Sequence, residues 1–97
     1  MMDELVRKEI LAISRTAHDL TESSYQNDRS KHGDSSWPEK QRILLADMAL
    51  HLLQTALMEG ELSEEYLKRN LFSILTISDQ FISGYDLKPV AEALYSS

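Results

Sequence analysis

Residues 38–59 read PEKQRILLADMALHLLQTALME, and this stretch decides the fold. Trp37-Pro38 marks a helix start, with Ser36 or Trp37 as the cap, because proline lacks the N–H that a first turn leaves unpaired and its fixed φ suits that position. Gly60 marks the stop, since glycine enters the left-handed conformation that closes helices. Neither Gly nor Pro intervenes, so about 22 residues at ~1.5 Å each predict a rod roughly 33 Å long. Apolar rows run along it: Leu45, Ala49, Leu52, Ala56; Ile43, Leu50, Leu53, Leu57; and Leu44, Met48, Met58. They leave only a narrow polar strip of Lys40, Asp47, His51, Gln54 and Thr55. A surface helix needs an apolar stripe only a little over 100° wide, so this rod is expected at the centre of a bundle, touched on two or three sides.

Working outward, Met2, Val6, Ile10, Ile13, Ala17 and Leu20 recur at helical spacing and predict an amphipathic helix over about 2–24, whose apolar face, widened by a second column of Leu5, Leu11, Ala12 and Tyr25, is broad enough to touch two neighbours. Residues 25–37, rich in Ser, Asn, Asp and Gly, predict a polar loop, shortened if the first helix runs past Tyr25: a connector, or a recognition loop carrying Arg29, Lys31, His32 and Asp34. Beyond Gly60, Ser63 is placed to cap a helix over about 64–83, with Glu64 and Glu65 at the positive end of its dipole and Phe81 and Ile82 inward. So short a connection makes an antiparallel hairpin with the rod. Gly84 ends that helix, and Asp86 caps a last one over about 87–95, too short to persist unless it docks on the others. The expected fold is all-α: one domain over residues 1–97, an antiparallel bundle of three main helices and a short C-terminal one around helix 38–59.

Sixteen acidic against ten basic residues give a formal charge of −6, the wrong sign for gripping a phosphate backbone without a local basic patch. The cations fall mostly four residues after an acid (Asp3/Arg7, Glu4/Lys8, Glu64/Lys68, Glu65/Arg69), which reads as solvated helix faces. The chain contains no cysteine, which excludes disulfides, thiolate metal ligands and thiol nucleophiles. The opening MMDELVRKEI carries acids where a signal peptide carries a basic region, so a cytoplasmic location is expected.

Isolated glycines make no phosphate cradle, and no Ser/His/Asp set frames a nucleophile, so no catalytic residue and no cofactor are expected. Asp47/His51 and His18/Glu22 are i,i+4 pairs that suit a metal, but pairing the first two helices across the loop sets His18 nearer Leu44 than His51, and no metal site is expected. A helix-turn-helix would have to use the turn at 60–63, whose following helix opens with Glu64-Glu65 and repels phosphate, although Lys68, Arg69 and Asn70 follow.

The favoured reading is a non-enzymatic interaction or regulatory protein, of the acidic immunity, antitoxin or inhibitor type, or a homodimer sealed by the first or last helix. Its partner would be another protein, basic in charge, with Asp28, Asp34, Glu61, Glu64 and Glu65 as the binding residues; neither nucleic acid nor membrane is an expected partner. The alternatives are a DNA-binding transcriptional regulator and a small metal-binding bundle enzyme using His18, Asp47 and His51.

Overall fold

The computed structural model describes residues 2–95. The chain is an all-α bundle of α1 (Glu4–Asn27), α2 (Trp37–Leu57), α3 (Glu64–Ser78) and α4 (Lys88–Ala93). Asp3 starts α1 by accepting from the amides of Leu5 and Val6, and Ser63 starts α3 by accepting from Tyr66 N. Pro38 lies in the first turn of α2, whose cap Ser36 makes no side-chain capping bond. α3 ends at Ser78, earlier than Gly84, because the next amides turn back on Ile77 and Ser78 in tighter steps. Asp79 then reaches forward to accept from Leu87 N at 2.9 Å, and Asp86 accepts from Lys88 N at the start of α4. α4 docks on α3 and buries Ala91. Among the described residues no helix is long and apolar enough to cross a membrane.

The 28–36 connection is built rather than slack. Asp28 accepts from Ser30 N at 2.8 Å, and Asp34 accepts from Lys31 N at 2.8 Å. Asp34 N donates back to Lys31 O across a turn whose third residue, Gly33, has φ +98°. That conformation is strained for residues bearing a Cβ. The His32 ring stands edge-on to Trp37 at 5.8 Å, and the Lys40 ammonium lies 4.7 Å from the Tyr25 ring centre. His32 and Asp34 are therefore engaged within the chain's own loop.

Packing follows chain order: α1 on α2, α2 on α3, α3 on α4, and α1 does not pack on α3. The result is a slab of 44 × 36 × 19 Å with a radius of gyration of 15.2 Å, against about 13 Å for a compact chain of this length. α2 is central and packs against both α1 and α3, but its large apolar side chains are mostly half-buried; its buried residues are Gln41, Asp47 and Thr55.

The first helix is rotated from expectation: Ile10, Leu11 and Ala17 of its apolar face turn inward, and the rest of that face does not. Met2, Val6, Ile13 and Leu20 are exposed, Ile13 by 62%, while α1 meets α2 through a mixed face containing Arg7, Leu11, Ser14, His18 and Thr21. The cause is polar pairing. Arg7 Nη1 donates to Leu57 O at 2.7 Å, taking up one of the carbonyls that the end of α2 leaves open, and Asp47 recruits His18 and Thr21. Satisfying these groups fixes the rotation of α1 and leaves its apolar ridge outside. Phe81 and Ile82, expected inside, are also exposed, since α3 stops before them.

The hydrogen bonds from Ser30, side chain first and then backbone, hold the Asp28 carboxyl below the ordinary aspartate value of 3.8. A lowered carboxyl pKa stabilises the folded loop above the unfolded value, and that contribution is lost as pH falls through the folded one. Carboxyl NMR titration should place Asp28 below 3.8, with protection of the Ser30 amide disappearing only in that acid range.

Candidate functional site

Asp47 projects from the middle of α2 with its side chain 8% exposed. A carboxylate so covered must be paired, since an isolated buried charge is costly. Its Oδ1 accepts from Thr21 Oγ1 at 2.6 Å and lies 2.5 Å from His18 Nδ1; its Oδ2 lies 3.5 Å from His51 Nε2. The other nitrogen of His18, Nε2, lies 3.0 Å from Glu22 Oε2. The two imidazole rings meet edge to face with centres 4.6 Å apart. One ligating atom from each of His18, Asp47 and His51 lies within 4.8 Å of the others.

This corrects the expectation that the His18/Glu22 and Asp47/His51 pairs miss one another. α1 runs on to Asn27 and α2 begins at Trp37, so the loop midpoint moves toward α2 and the antiparallel register carries His18 opposite Asp47. Arg7 against Leu57 and Lys40 against Tyr25 report the same register at the two ends of the seam.

His51 also lines a cavity of about 720 Å³ between α1, α2 and α3. Arg7, Lys8 and Arg15 reach it from α1 and Arg69 from α3, with Glu59 beside them. No basic patch is visible along the chain; the fold makes one by bringing scattered cations of α1 and α3 to one cavity. Some of that charge is compensated. Arg7 pairs with Glu4 rather than with Asp3, which is engaged as the α1 cap, and Arg69 pairs with Glu65 at 2.8 Å. The hydrogen bond between Glu4 and Arg7 lowers the pKa of the one and raises that of the other. Gln54 Nε2 and Asn70 Oδ1, buried on residues lining the cavity, have no hydrogen-bond partner among the described residues.

The acids expected to meet a basic partner fall into two separate groups. Asp28 and Asp34 sit before α2 and accept hydrogen bonds within their own loop, while Glu61, Glu64 and Glu65 sit beyond its other end, about 30 Å away along the helix. Glu64 and Glu65 pair with Lys68 and Arg69, and Glu61 is exposed.

The chain matches no protein-family model, no curated protein and no solved structure.

Replacing Asp47 by Ala removes the acceptor shared by Thr21 and His18 and should cost about 3 kcal/mol of unfolding free energy. Asp47→Asn keeps one carbonyl acceptor and should cost less than half of that. Urea denaturation of the three proteins at neutral pH measures both.

Proposed function

We propose that this chain is a non-enzymatic interaction protein that works as a homodimer, the exposed ridge of α1 closing against the same ridge of a second copy. The carrying observation is surface area. The chain exposes 7102 Å², whereas a folded monomer of 11.1 kDa is expected to expose about 5,700 Å². The excess of roughly 1,400 Å² exceeds the ~800 Å² that each partner buries in a standard stable interface.

Buried apolar residues among those described are only Leu11, Ile77 and Ala91, while Leu5, Val6, Ile13 and Leu20 stand exposed on α1 and Met2 just before it. Val6, Ile13 and Leu20 are seven residues apart, so they stay on one side of the helix over roughly 21 Å. That ridge is self-complementary about a two-fold axis. With two copies of α1 antiparallel, Ile13 meets Ile13, Val6 meets Leu20, and Glu9 falls opposite Ala17 rather than another acid. Room for the second copy is present beside the ridge. Leu20 lines a shallow groove of about 330 Å³ with Ile43 and Ala46, and α2 exposes small side chains, Ala46, Ala49 and Ala56, that let a helix approach closely.

The acidic exterior, with net charge −6, disfavours nucleic acid and favours a basic protein as the partner of the assembled dimer, in the cytoplasm. The divided placement of the acids supports contacts at both ends of α2 rather than at one patch.

Light scattering on the purified chain at tens of micromolar should give about 22 kDa, twice the chain mass. Ile13→Glu sets two charges against each other at the axis and should give a monomer of unchanged helicity, because Ile13, 62% exposed, contributes little to packing within one chain. A monomeric wild-type protein would remove the proposal.

A further inference from the structure

The buried cluster in the seam between α1 and α2 has a use beyond holding two helices together. We infer that His18, Asp47 and His51 form a binding site for a borderline-soft divalent cation of the zinc class.

The donor set is the first argument. Two imidazoles and one carboxylate form a three-ligand set that suits zinc and leaves a further position for water or another ligand. Oxygen-seeking ions such as magnesium and calcium are disfavoured, because two of the three donors are nitrogen. Geometry is the second. Ligands around a tetrahedral zinc lie roughly 3.3 to 3.6 Å apart, given bond lengths of about 2.0 to 2.2 Å. Here the candidate atoms already lie within 4.8 Å of one another, so side-chain movements of about 1 to 1.5 Å, opening the 2.5 Å His18–Asp47 contact and drawing His51 in, complete the set. His51 is the freest to make that adjustment, its side chain being 38% exposed and more than 3 Å from Asp47.

The surroundings supply the third argument. Imidazoles that bind metals commonly donate their second N–H to a carboxylate, which fixes the ring and raises its basicity. His18 can bind through Nδ1 while Nε2–H donates to Glu22, 3.0 Å away. Thr21 Oγ1 steadies Asp47 in the same way, its hydroxyl donating at 2.6 Å. The hydrogen-bonded seam and the metal site are two states of the same residues. Binding through Nδ1 leaves the ring proton on Nε2, where Glu22 accepts it: a neutral ring reaches that state by changing tautomer and an imidazolium by releasing its Nδ1 proton to solvent, while Asp47 exchanges a shared hydrogen bond for a coordinate bond.

His51 borders the large basic cavity, so an ion held there sits at the cavity wall with a coordination position within reach of an anionic ligand. The site lies within one chain, so it is independent of self-association.

The test uses the full chain without a histidine tag, stripped with a chelator and titrated with zinc chloride by calorimetry in two buffers of different ionisation enthalpy. The expected result is one zinc per chain, proton release on binding where the displaced site was protonated, and a raised thermal midpoint. Cobalt(II) should give visible ligand-field bands of the intensity that marks four or five coordination. His51→Ala and His18→Ala should each weaken zinc binding at least tenfold, whereas His32→Ala, which alters a loop histidine outside the cluster, should leave it unchanged. Circular dichroism establishes that the variants are folded, and His51→Ala, at the more exposed ligand, keeps the test decisive if His18→Ala does not fold. Absence of stoichiometric binding, or binding that survives His51→Ala undiminished, would overturn the inference. The oligomeric state, read separately by light scattering, distinguishes failure of this site from failure of the dimer.

Discussion

A carboxylate withdrawn from water in the middle of α2 governs how the first two helices meet. Asp47 must be satisfied where it is buried, and the groups that satisfy it come from the next helix: Thr21 by its hydroxyl and His18 by Nδ1. At one end of the same seam Arg7 takes up the terminal carbonyl of α2; at the other Lys40 lies over Tyr25. These contacts share one antiparallel register, and a change in the rotation of α1 would break several of them together. An apolar seam could have slid or turned at small cost; hydrogen bonds tolerate much less misalignment.

That polar seam determines the rest of the surface. Because α1 directs a mixed, largely polar face toward α2, its ridge of Val6, Ile13 and Leu20 has nothing among the described residues to cover it. Because α1 and α3 each pack on α2 without packing on each other, the molecule remains a slab in which no large side chain among the described residues is fully buried. Association with a second copy, as proposed, would supply the missing layer, and domains generally need at least two packed layers to enclose a core. The proposed metal site belongs to the same logic: the groups gathered to satisfy a buried acid are also ligands, and a cation would fasten the seam at the carboxylate where its polar contacts converge.

Much of the fold was legible because the signals are local. Pro38, Gly60 and Ser63 announce helix ends through backbone chemistry that operates within a turn, and the all-α architecture follows from them. The end of α3 was less legible, since Asp79 leaves the helical pattern to hold Leu87 N, a contact eight residues away that periodicity does not register. The organisation of residues 28–36 was hidden for a similar reason: Asp and Ser in a polar run look alike whether or not they close turns.

The sequence by itself determined the helices, their order and their antiparallel succession, because capping, propensity and short connections act between near neighbours. It also named the residue types of the site: His18, Asp47 and His51 stand out in any reading of the chain. Only the tertiary structure decided that these three converge, that Arg7, Lys8, Arg15 and Arg69 surround one cavity, and that Ile13 and Leu20 point to solvent. The physical reason is that helix rotation and register are set by pairing between groups far apart in the chain. Hydrophobic periodicity locates an apolar face but does not know that a buried carboxylate elsewhere will claim the opposite one.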